Sequence, residues 1–251
     1  MPRKAREIAE SGIYHVMLRG IDRQLIFEDE EDYGRFLSIL HECRGICGFK
    51  LYAYCLMGNH VHILLKVQDD SLETIFKKIG ARYVYYFNVK YQRVGHLFQD
   101  RFKSEPVEDD AYFLTVLRYI HQNPVKAGIC SKVEHYPHSS FCEYLYDGTW
   151  VDTEFALGMV ERADFTKFNN EPNSDACLEI GVAVRRAITD TQVQYMIQKV
   201  SHCRSISEFQ CLDESKKERY VKKIYEQGAS IRQISRLTGT TKGMVEKWLK
   251  A

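Results

Sequence analysis

The amino-acid sequence predicts an α+β fold, in which an antiparallel sheet is sandwiched by helices, followed by an all-α domain. Short apolar segments and segments of helical periodicity follow each other in the order strand, helix, strand, strand, helix, strand, helix. Two of the strands are separated only by a tight turn, which favours antiparallel pairing. Beyond residue 175 the patterns are helical, so the second domain is predicted to consist of helices.

Apolar and β-branched residues predict four strands, each bounded by residues that favour turns. These strands span residues 13–19, 50–56, 60–67 and 98–107. Gly58 lies in the short turn between the second and third strands, which are therefore expected to form a hairpin.

Apolar residues at helical spacing predict three helices in the first domain. They span residues 29–46, 71–91 and 109–123. Ser71 is a good N-terminal cap, and Asp109 places a carboxylate where it suits the start of a helix. The third helix is expected to end at Asn123, because the residue before a proline disfavours the α conformation.

The formal net charge of +1 hides an uneven distribution of charge along the chain. Residues 77–105 hold seven Lys and Arg against two Asp and Glu, and residues 213–251 hold ten against five. Residues 147–180, which lie between these two regions, hold two Lys and Arg against eight Asp and Glu. Basic regions of this kind suit the phosphate backbone of nucleic acids, although solvated helix surface is the alternative.

This distribution, together with the helical patterns, divides the chain into three parts. Residues 1–146 are predicted to form the first domain, and residues 147–175, which are acidic and richer in Gly, Asn and Pro, to form a linker. Residues 176–251 are predicted to form the helical domain.

The composition argues against several classes of protein. With 45% hydrophobic residues the chain can form a packed core, and no apolar run is long enough to span a bilayer. The basic N-terminus lacks the apolar segment of a secretory signal, so we expect a cytoplasmic, nucleoid-associated protein with no membrane partner. The eight cysteines are accordingly expected to be reduced thiols.

His60 and His62 are candidate metal ligands. They lie two positions apart in the third predicted strand, so both imidazoles leave one face of the sheet while Val61 points to the other. Two imidazoles on one face can bind one cation. Two unrelated histidines, at the surface or in the core, are the alternative that the spacing leaves open.

The third predicted helix supplies a candidate nucleophile. Tyr119 and Asn123 are four residues apart and lie together on one flank of its apolar face. This flank is the rim where a helix meets the sheet that it covers. A tyrosine oxygen can attack a phosphodiester and hold the cut strand as a covalent ester. Tyr119 is one of sixteen tyrosines, however, and a packing role is also open.

Five blocks of sequence point to a known family. The blocks contain Tyr14-His15-Val16 with Arg19-Gly20 and Ile26-Phe27, Met57-Gly58-Asn59-His60-Val61-His62, Gly95-His96-Leu97-Phe98-Gln99-Asp100-Arg101-Phe102-Lys103-Ser104, Tyr119-Ile120-His121-Gln122-Asn123-Pro124-Val125, and Tyr136-Pro137-His138-Ser139-Ser140. In this order they resemble the single-tyrosine HUH transposases, most closely the REP-associated tyrosine transposase branch of the IS200-like superfamily. The resemblance covers residues 13–144 and implies a ferredoxin-like HUH nuclease domain.

The resemblance also implies a mechanism, that of a metal-dependent single-stranded DNA endonuclease and strand transferase. His60 and His62 match the family's metal ligands. Tyr119 matches its nucleophile, and Asn123 matches the polar residue that completes the metal site. The implied cofactor is Mg²⁺ or Mn²⁺. The implied substrate is hairpin DNA, cut to leave a 5′-phosphotyrosine and a free 3′-hydroxyl by a protein expected to act as a monomer.

Basic residues near these blocks are expected to contact DNA phosphates. They are Arg19, Arg23, Arg101 and Lys103. His121 lies outside the flank that carries Tyr119 and Asn123, and is a weaker alternative metal ligand.

The C-terminal segment predicts a helix-turn-helix over about residues 230–250. Its inner faces are predicted to be formed by Ile231, Ile234 and Leu237 before Gly239, and by Met244, Val245 and Trp248 after it. The second helix of such a motif enters the major groove of duplex DNA. Thr240, Thr241, Lys242 and Lys247 are therefore expected to face DNA, with a helical bundle for protein contacts as the alternative. The minimal REP-associated enzymes lack this extension.

Two other functions remain possible at this point. A domesticated regulator would bind duplex DNA through the helix-turn-helix without cleaving it. The joint presence of His60, His62, Tyr119 and Asn123 favours cleavage, because a regulator has no need of all four. A hydrolase that uses metal-bound water is disfavoured, because no dedicated carboxylate accompanies the histidine pair.

Overall fold

A four-stranded antiparallel sheet covered by helices, followed by a helical region, confirms the predicted α+β class. The computed structural model describes residues 6–146, 148, 150–173, 175, 177, 178 and 190–250 apart from 204. The chain divides into two compact units, Met1–Glu179 and Ile180–Ala251. No helix of the described residues is both long and apolar enough to span a membrane.

Three strands occur where the sequence predicts them to within one residue, and the fourth is shorter than predicted. They are β1 (Ile13–Arg19), β2 (Lys50–Met57), β3 (His60–Lys66) and β4 (Lys103–Pro106), in the sheet order β2-β3-β1-β4. β4 is shorter than predicted, because the chain bends over residues 99–101. Before these bends only an isolated bridge pairs Phe98 with Gly20.

Three helices accompany the sheet, and each follows a capping residue, of which the sequence suggested Ser71 and Asp109. They are α1 (Glu30–Cys47), α2 (Leu72–Lys90) and α3 (Asp110–Lys126). Asp29, Ser71 and Asp109 each accept a hydrogen bond from a backbone N–H in the first turn. Both alternating sets of β3 side chains are buried, so both faces of the sheet are covered.

The predicted end of α3 at Asn123 is wrong, because the helix continues through Pro124 to Lys126. Proline removes one backbone donor, but the next turn closes without it: Ala127 N–H donates to the Asn123 carbonyl at 2.9 Å. The chain leaves the helix only at Gly128, where φ is +69°. Asn123 therefore lies inside a regular helix, and its side chain has a fixed direction.

The acidic segment predicted as a linker contributes to the core of the first unit. It contains α4 (Glu154–Leu157) and α5 (Arg162–Asn170). Phe165 is fully buried, and its ring stacks on that of Tyr144 with 4.4 Å between centroids. The Gln122 amide of α3 donates to the carbonyls of Asn169 and Glu171, at 2.7 and 2.9 Å. Most of the described charged side chains of this segment are exposed, while apolar side chains such as Phe165 anchor it.

We expect Phe165→Ala to lower the free energy of unfolding of the first unit by about 3–5 kcal/mol, because it leaves a cavity beneath Tyr144. Chemical denaturation followed by tyrosine fluorescence and circular dichroism measures this change. Phe155→Ala is the matched control, since Phe155 of α4 is 40% exposed and its loss should cost much less. Equal effects of the two substitutions would contradict the packing role of α5.

The second unit, as far as the structure describes it, is helical. It contains α6 (Asp190–Ser201), α7 (Ile206–Gln210), α8 (Glu214–Glu226), α9 (Ile231–Thr238) and α10 (Lys242–Lys250). Its core includes Val193, Phe209, Val221, Ile224, Ile234, Val245 and Trp248. α9 begins with a capping box between Ser230 and Gln233 and ends at Gly239, where φ is +68°. Two helices separated by a turn thus lie where the sequence predicts them; of the predicted inner residues, Ile234, Val245 and Trp248 are buried and the others are partly buried.

Candidate active site

His60 and His62 lie on one face of the sheet, at the start of β3. Strand alternation points both imidazoles to this face and Val61 to the opposite one, where Val61 is buried. The two ring centroids are 5.1 Å apart, and the ring planes are nearly perpendicular at 86°. The spacing of the pair in the sequence therefore brings two imidazoles together.

Helix α3 brings Tyr119 and Asn123 to the histidine pair. It packs on β2 and β3 through its buried apolar face. The centroid of the Tyr119 ring lies 5.6 Å from that of His62, and the Asn123 side chain forms a hydrogen bond with His60. Four side chains from two elements that are distant in the sequence thus meet at one point.

Each of the two histidines is held through its Nδ1 atom. His60 Nδ1 lies 2.7 Å from Asn59 Oδ1, and the Asn59 amide is itself oriented because its Nδ2 donates to the Arg23 carbonyl at 3.2 Å. His62 Nδ1 lies 2.9 Å from His15 Nε2. For His62 these contacts leave Nε2 available for a cation, whereas His60 also forms a hydrogen bond with Asn123 that a bound cation would replace.

Burial controls the charge of both imidazoles. It lowers the pKa of His60 to about 4, and the hydrogen bond with Asn123 opposes this shift. Burial, followed by the nearby His15 and His60, lowers the pKa of His62 well below its ordinary value. Both rings are therefore neutral near pH 7, which is the state in which an imidazole binds a metal.

The donor atoms suit a small divalent cation. Within the described part of the chain, no group of three or more His, Cys, Asp or Glu side chains could hold a metal ion. The candidate set instead has two imidazoles, of His60 and His62, and the amide of Asn123. The Asn123 Nδ2 atom is buried without a partner among the described residues, so this amide has unused hydrogen-bonding capacity. These residues fit Mg²⁺ or Mn²⁺ with further oxygen ligands from phosphate and water.

The four basic residues predicted to contact DNA near the site differ in their surroundings. Arg19 lies opposite His60 in the β1–β3 pairing, and its Nε atom is buried without a partner among the described residues. Burial, and then the charge of Arg23, lower the pKa of Arg19. Arg101 and Lys103 are exposed, in the bend before β4 and at its first residue. Arg19 therefore offers an unmatched donor beside the histidine pair.

His121, the alternative metal ligand, has no free ring nitrogen. Its Nδ1 lies 2.9 Å from Asn169 Oδ1, and its Nε2 lies 3.0 Å from Ser140 Oγ. The side chain is fully buried between α3 and α5, and burial lowers its pKa to about 4. His121 is therefore a neutral core histidine that joins α5 to α3.

Three further residues contact the site, and spacing alone did not reveal them. His15 is fully buried beside His62, and Glu105 lies 2.8 Å from its other ring nitrogen. Lys126 Nζ lies 5.0 Å from the centroid of the Tyr119 ring. His15 belongs to the first sequence block, which was a signal for its importance. Nothing in the sequence marks Glu105 or Lys126.

The chain is similar in sequence to known transposases. The family model for IS200-like transposases matches residues 9–123. A protein of Haemophilus influenzae whose name assigns it to the REP-associated tyrosine transposases is 32% identical over 105 residues. This alignment covers 37% of the present chain and 59% of the relative, so the chain spans less than two thirds of the length of that protein.

A solved structure shows the same fold. It is a REP-associated tyrosine transposase bound to a REP hairpin, and it aligns with a TM-score of 0.55 at 15% sequence identity. The alignment covers 73% of the present chain and 99% of the solved chain. The fold class of the chain is thus supported by a protein of low sequence identity.

Proposed function

From the match of residues 9–123 to the IS200-like transposase family, we propose that this chain cuts and rejoins single-stranded DNA through a covalent bond to Tyr119. The observation that carries the proposal is the convergence of His60, His62, Tyr119 and Asn123 on one face of the sheet. The substrate class, a DNA hairpin, is proposed by analogy with the solved transposase, which is bound to a REP hairpin. The protein is proposed to act as a monomer.

The proposed reaction exchanges one phosphoester for another. The Tyr119 hydroxyl oxygen attacks a backbone phosphorus and loses its proton, and the 3′-oxygen leaves and takes up a proton. The products are a 5′-phosphotyrosine and a free 3′-hydroxyl. Because the ester bond is conserved, a 3′-hydroxyl can later attack the phosphotyrosine and rejoin the strand without ATP.

A bound Mg²⁺ or Mn²⁺ would polarise the phosphate and offset the charge that develops on it. His60, His62 and Asn123 are the residues that would hold this ion. Their arrangement requires little movement, because His60 and His62 are already oriented by Asn59 and His15.

Hydrogen-bond donors and positive charges around the site suit a phosphate group. Arg19 Nε–H and Asn123 Nδ2–H are buried donors without partners among the described residues, and a phosphate oxygen is a suitable acceptor for each. Lys126 Nζ lies 5.0 Å from the centroid of the Tyr119 ring, and its positive charge is proposed to offset negative charge that develops during the attack. Arg23, Arg101 and Lys103 are proposed to contact phosphates of the flanking strand.

The proposal is tested by incubating the protein with Mn²⁺ and a library of single-stranded hairpins. A covalent protein–DNA adduct is expected, stable to denaturation, with the DNA joined through its 5′-phosphate to the peptide that contains Tyr119. Sequencing the trapped DNA and mapping the peptide by mass spectrometry identify both partners. Failure of every hairpin to form an adduct, while unstructured strands do form one, would contradict the substrate class.

We also propose that α9 and α10 read duplex DNA. The helix-turn-helix geometry favours this role, and three of the predicted contact residues are exposed: Thr241, Lys242 and Lys247. Thr240, the fourth, is half-buried in the turn, where its N–H donates to Thr238 Oγ1. Duplex binding by these helices would direct cleavage to a particular DNA sequence. A regulator that does not cleave DNA would retain the same binding.

We expect Lys247→Ala to weaken duplex binding and to reduce the slope of log affinity against log salt by about 1, because one phosphate contact is lost. Lys247 is the sharper test, since the charge of Lys242 is paired with Glu246 at 3.3 Å. Fluorescence anisotropy in EDTA measures the slope, with exposed Lys223→Ala of α8 as the control. An equal loss in both variants would indicate general charge attraction and not a groove-binding helix.

A further inference from the structure

A chain of hydrogen bonds leads from the protein surface to the candidate metal ligand His62. Glu105 Oε1 lies 2.8 Å from His15 Nδ1, and His15 Nε2 lies 2.9 Å from His62 Nδ1. The side chain of Glu105 is 24% exposed, whereas His15 is fully buried and His62 is 2% exposed. These hydrogen bonds therefore connect a partly exposed carboxylate to two buried imidazoles of the site. We call this set of Glu105, His15 and His62 the relay.

The sheet register produces this contact. Glu105 of β4 lies directly opposite His15 of β1, and Met17, two residues after His15, lies opposite His62 of β3. His15 and His62 are thus diagonal neighbours on the same face. Two imidazole rings are long enough to span the separation of such neighbours. The three side chains lie on three adjacent strands, so backbone hydrogen bonds fix their separation.

If His15 is neutral, the chemistry of the three groups fixes the direction of both hydrogen bonds. An ionised carboxylate can only accept, so Glu105 requires a proton on His15 Nδ1. A neutral His15 then has a lone pair on Nε2 and must accept the proton of His62 Nδ1. This leaves a lone pair on His62 Nε2, which is the atom that a cation needs.

We propose that Glu105 and His15 are positioning residues that hold His62 in the Nδ1–H tautomer and so expose its Nε2 atom to the metal. The inference rests on the proposed function, because it assigns His62 the role of a ligand. It adds two residues, neither of which contacts the cation. Outer partners of this kind orient a histidine ligand and raise its basicity.

Glu105, the outermost residue of the relay, is itself held in place. The Leu178 N–H donates to Glu105 Oε1 at 2.9 Å, and the Tyr112 hydroxyl of α3 also donates to this carboxylate. Burial opposes ionisation of Glu105, but the hydrogen bond from His15 and these further donors lower its pKa below the ordinary value. Glu105 is therefore an acceptor with a fixed orientation, and it links β4, α3 and the end of the first unit.

A competing arrangement exists, and it gives the opposite tautomer. If His15 carried a proton on both nitrogens, its Nε2–H would donate to His62 Nδ1. His62 would then be protonated on Nε2 and could not bind a metal through that atom. The two arrangements have the same heavy-atom distances, so only the position of the protons distinguishes them.

Nuclear magnetic resonance can locate these protons in the metal-free protein. Long-range ¹H–¹⁵N spectra of the full chain labelled with ¹⁵N-histidine, in EDTA near pH 7, report the tautomer of each ring. Signals are assigned from their absence in His15→Gln and His62→Gln. We expect single protonation on Nδ1 for both His15 and His62. Protonation of His62 on Nε2, or of His15 on both nitrogens, would overturn the proposal.

The affinity for Mn²⁺, measured by the electron paramagnetic resonance of the free ion, tests the consequence. His15→Phe keeps the ring but removes the acceptor, and should weaken binding about 10–100-fold. His15→Gln should restore part of this loss, because its amide oxygen can accept from His62 Nδ1–H. His121→Phe is the matched control, since it removes an equally buried, doubly hydrogen-bonded imidazole and should leave Mn²⁺ affinity unchanged.

Two outcomes separate this inference from the proposed function. If the wild-type chain binds no Mn²⁺ at all, the proposed metal site is contradicted, whereas the tautomer spectrum still decides the relay on its own. If the wild-type chain binds Mn²⁺ and folded His15→Phe binds it equally well, the relay is overturned and the metal site stands.

Discussion

Tyr119→Phe is expected to eliminate the covalent protein–DNA adduct while hairpin binding is retained. The substitution removes a single oxygen atom, and the remaining ring can keep its contacts with His62 and with the Lys126 ammonium. Tyr119 is 3% exposed, so packing against neighbouring side chains should keep the ring in place after the substitution. The expected loss is to below detection, because no other group replaces a nucleophile that forms the covalent bond.

The measurement is a denaturing gel of labelled hairpin incubated with Mn²⁺, alongside an anisotropy titration of the same hairpin in EDTA. Tyr144→Phe is the control, since Tyr144 is another buried tyrosine of the same unit whose hydroxyl donates to the Tyr52 carbonyl at 2.7 Å. It should form the adduct as the wild type does. An adduct that persists in Tyr119→Phe would assign the nucleophile to a different residue.

The central part of the site could be predicted because local geometry specifies it. Alternation along a strand places His60 and His62 on one face whatever the strand pairs with. Helical periodicity places Tyr119 and Asn123 on one flank of α3 in the same way. Only their mutual approach depends on the tertiary fold, and for that the family resemblance was needed.

The supporting residues could not be predicted, because they depend on register between strands that are distant in sequence. Glu105 reaches His15 across the pairing of β1 with β4, and His15 reaches His62 across that of β1 with β3. A shift of one residue in either register would move these side chains to opposite faces. No local pattern in the chain specifies either register.

Two of the differences from the predicted elements have a common origin in packing. Proline disfavours continuation of a helix, but Pro124 is buried in α3, and the tertiary contacts of this turn outweigh the local preference. The acidic composition of residues 147–175 suggested a linker, yet Phe165 and Asn169 are fully buried. Composition describes the exposed side of such a segment and gives little weight to the few residues that anchor it.

The second large effect is expected from the histidine pair. His60→Ala and His62→Ala should each reduce Mn²⁺-dependent adduct formation by about 10³-fold, because a metal that polarises a phosphate contributes several kcal/mol to the transition state. Initial rates of adduct formation over a range of Mn²⁺ concentrations measure the loss. His121→Asn is the control: it alters a buried histidine of the same unit whose two nitrogens contact Asn169 of α5 and Ser140, and it should retain the metal dependence.

The double variant distinguishes one shared ion from two independent roles. If His60 and His62 hold the same cation, removal of either one already disrupts the site, and His60→Ala combined with His62→Ala should be hardly slower than the single variants. If the two residues act separately, the losses should multiply to about 10⁶-fold. Their ring centroids are 5.1 Å apart, and the Nδ1 atom of each is already held by another residue. We therefore expect the non-additive result, and a multiplicative one would contradict a metal site formed by this pair.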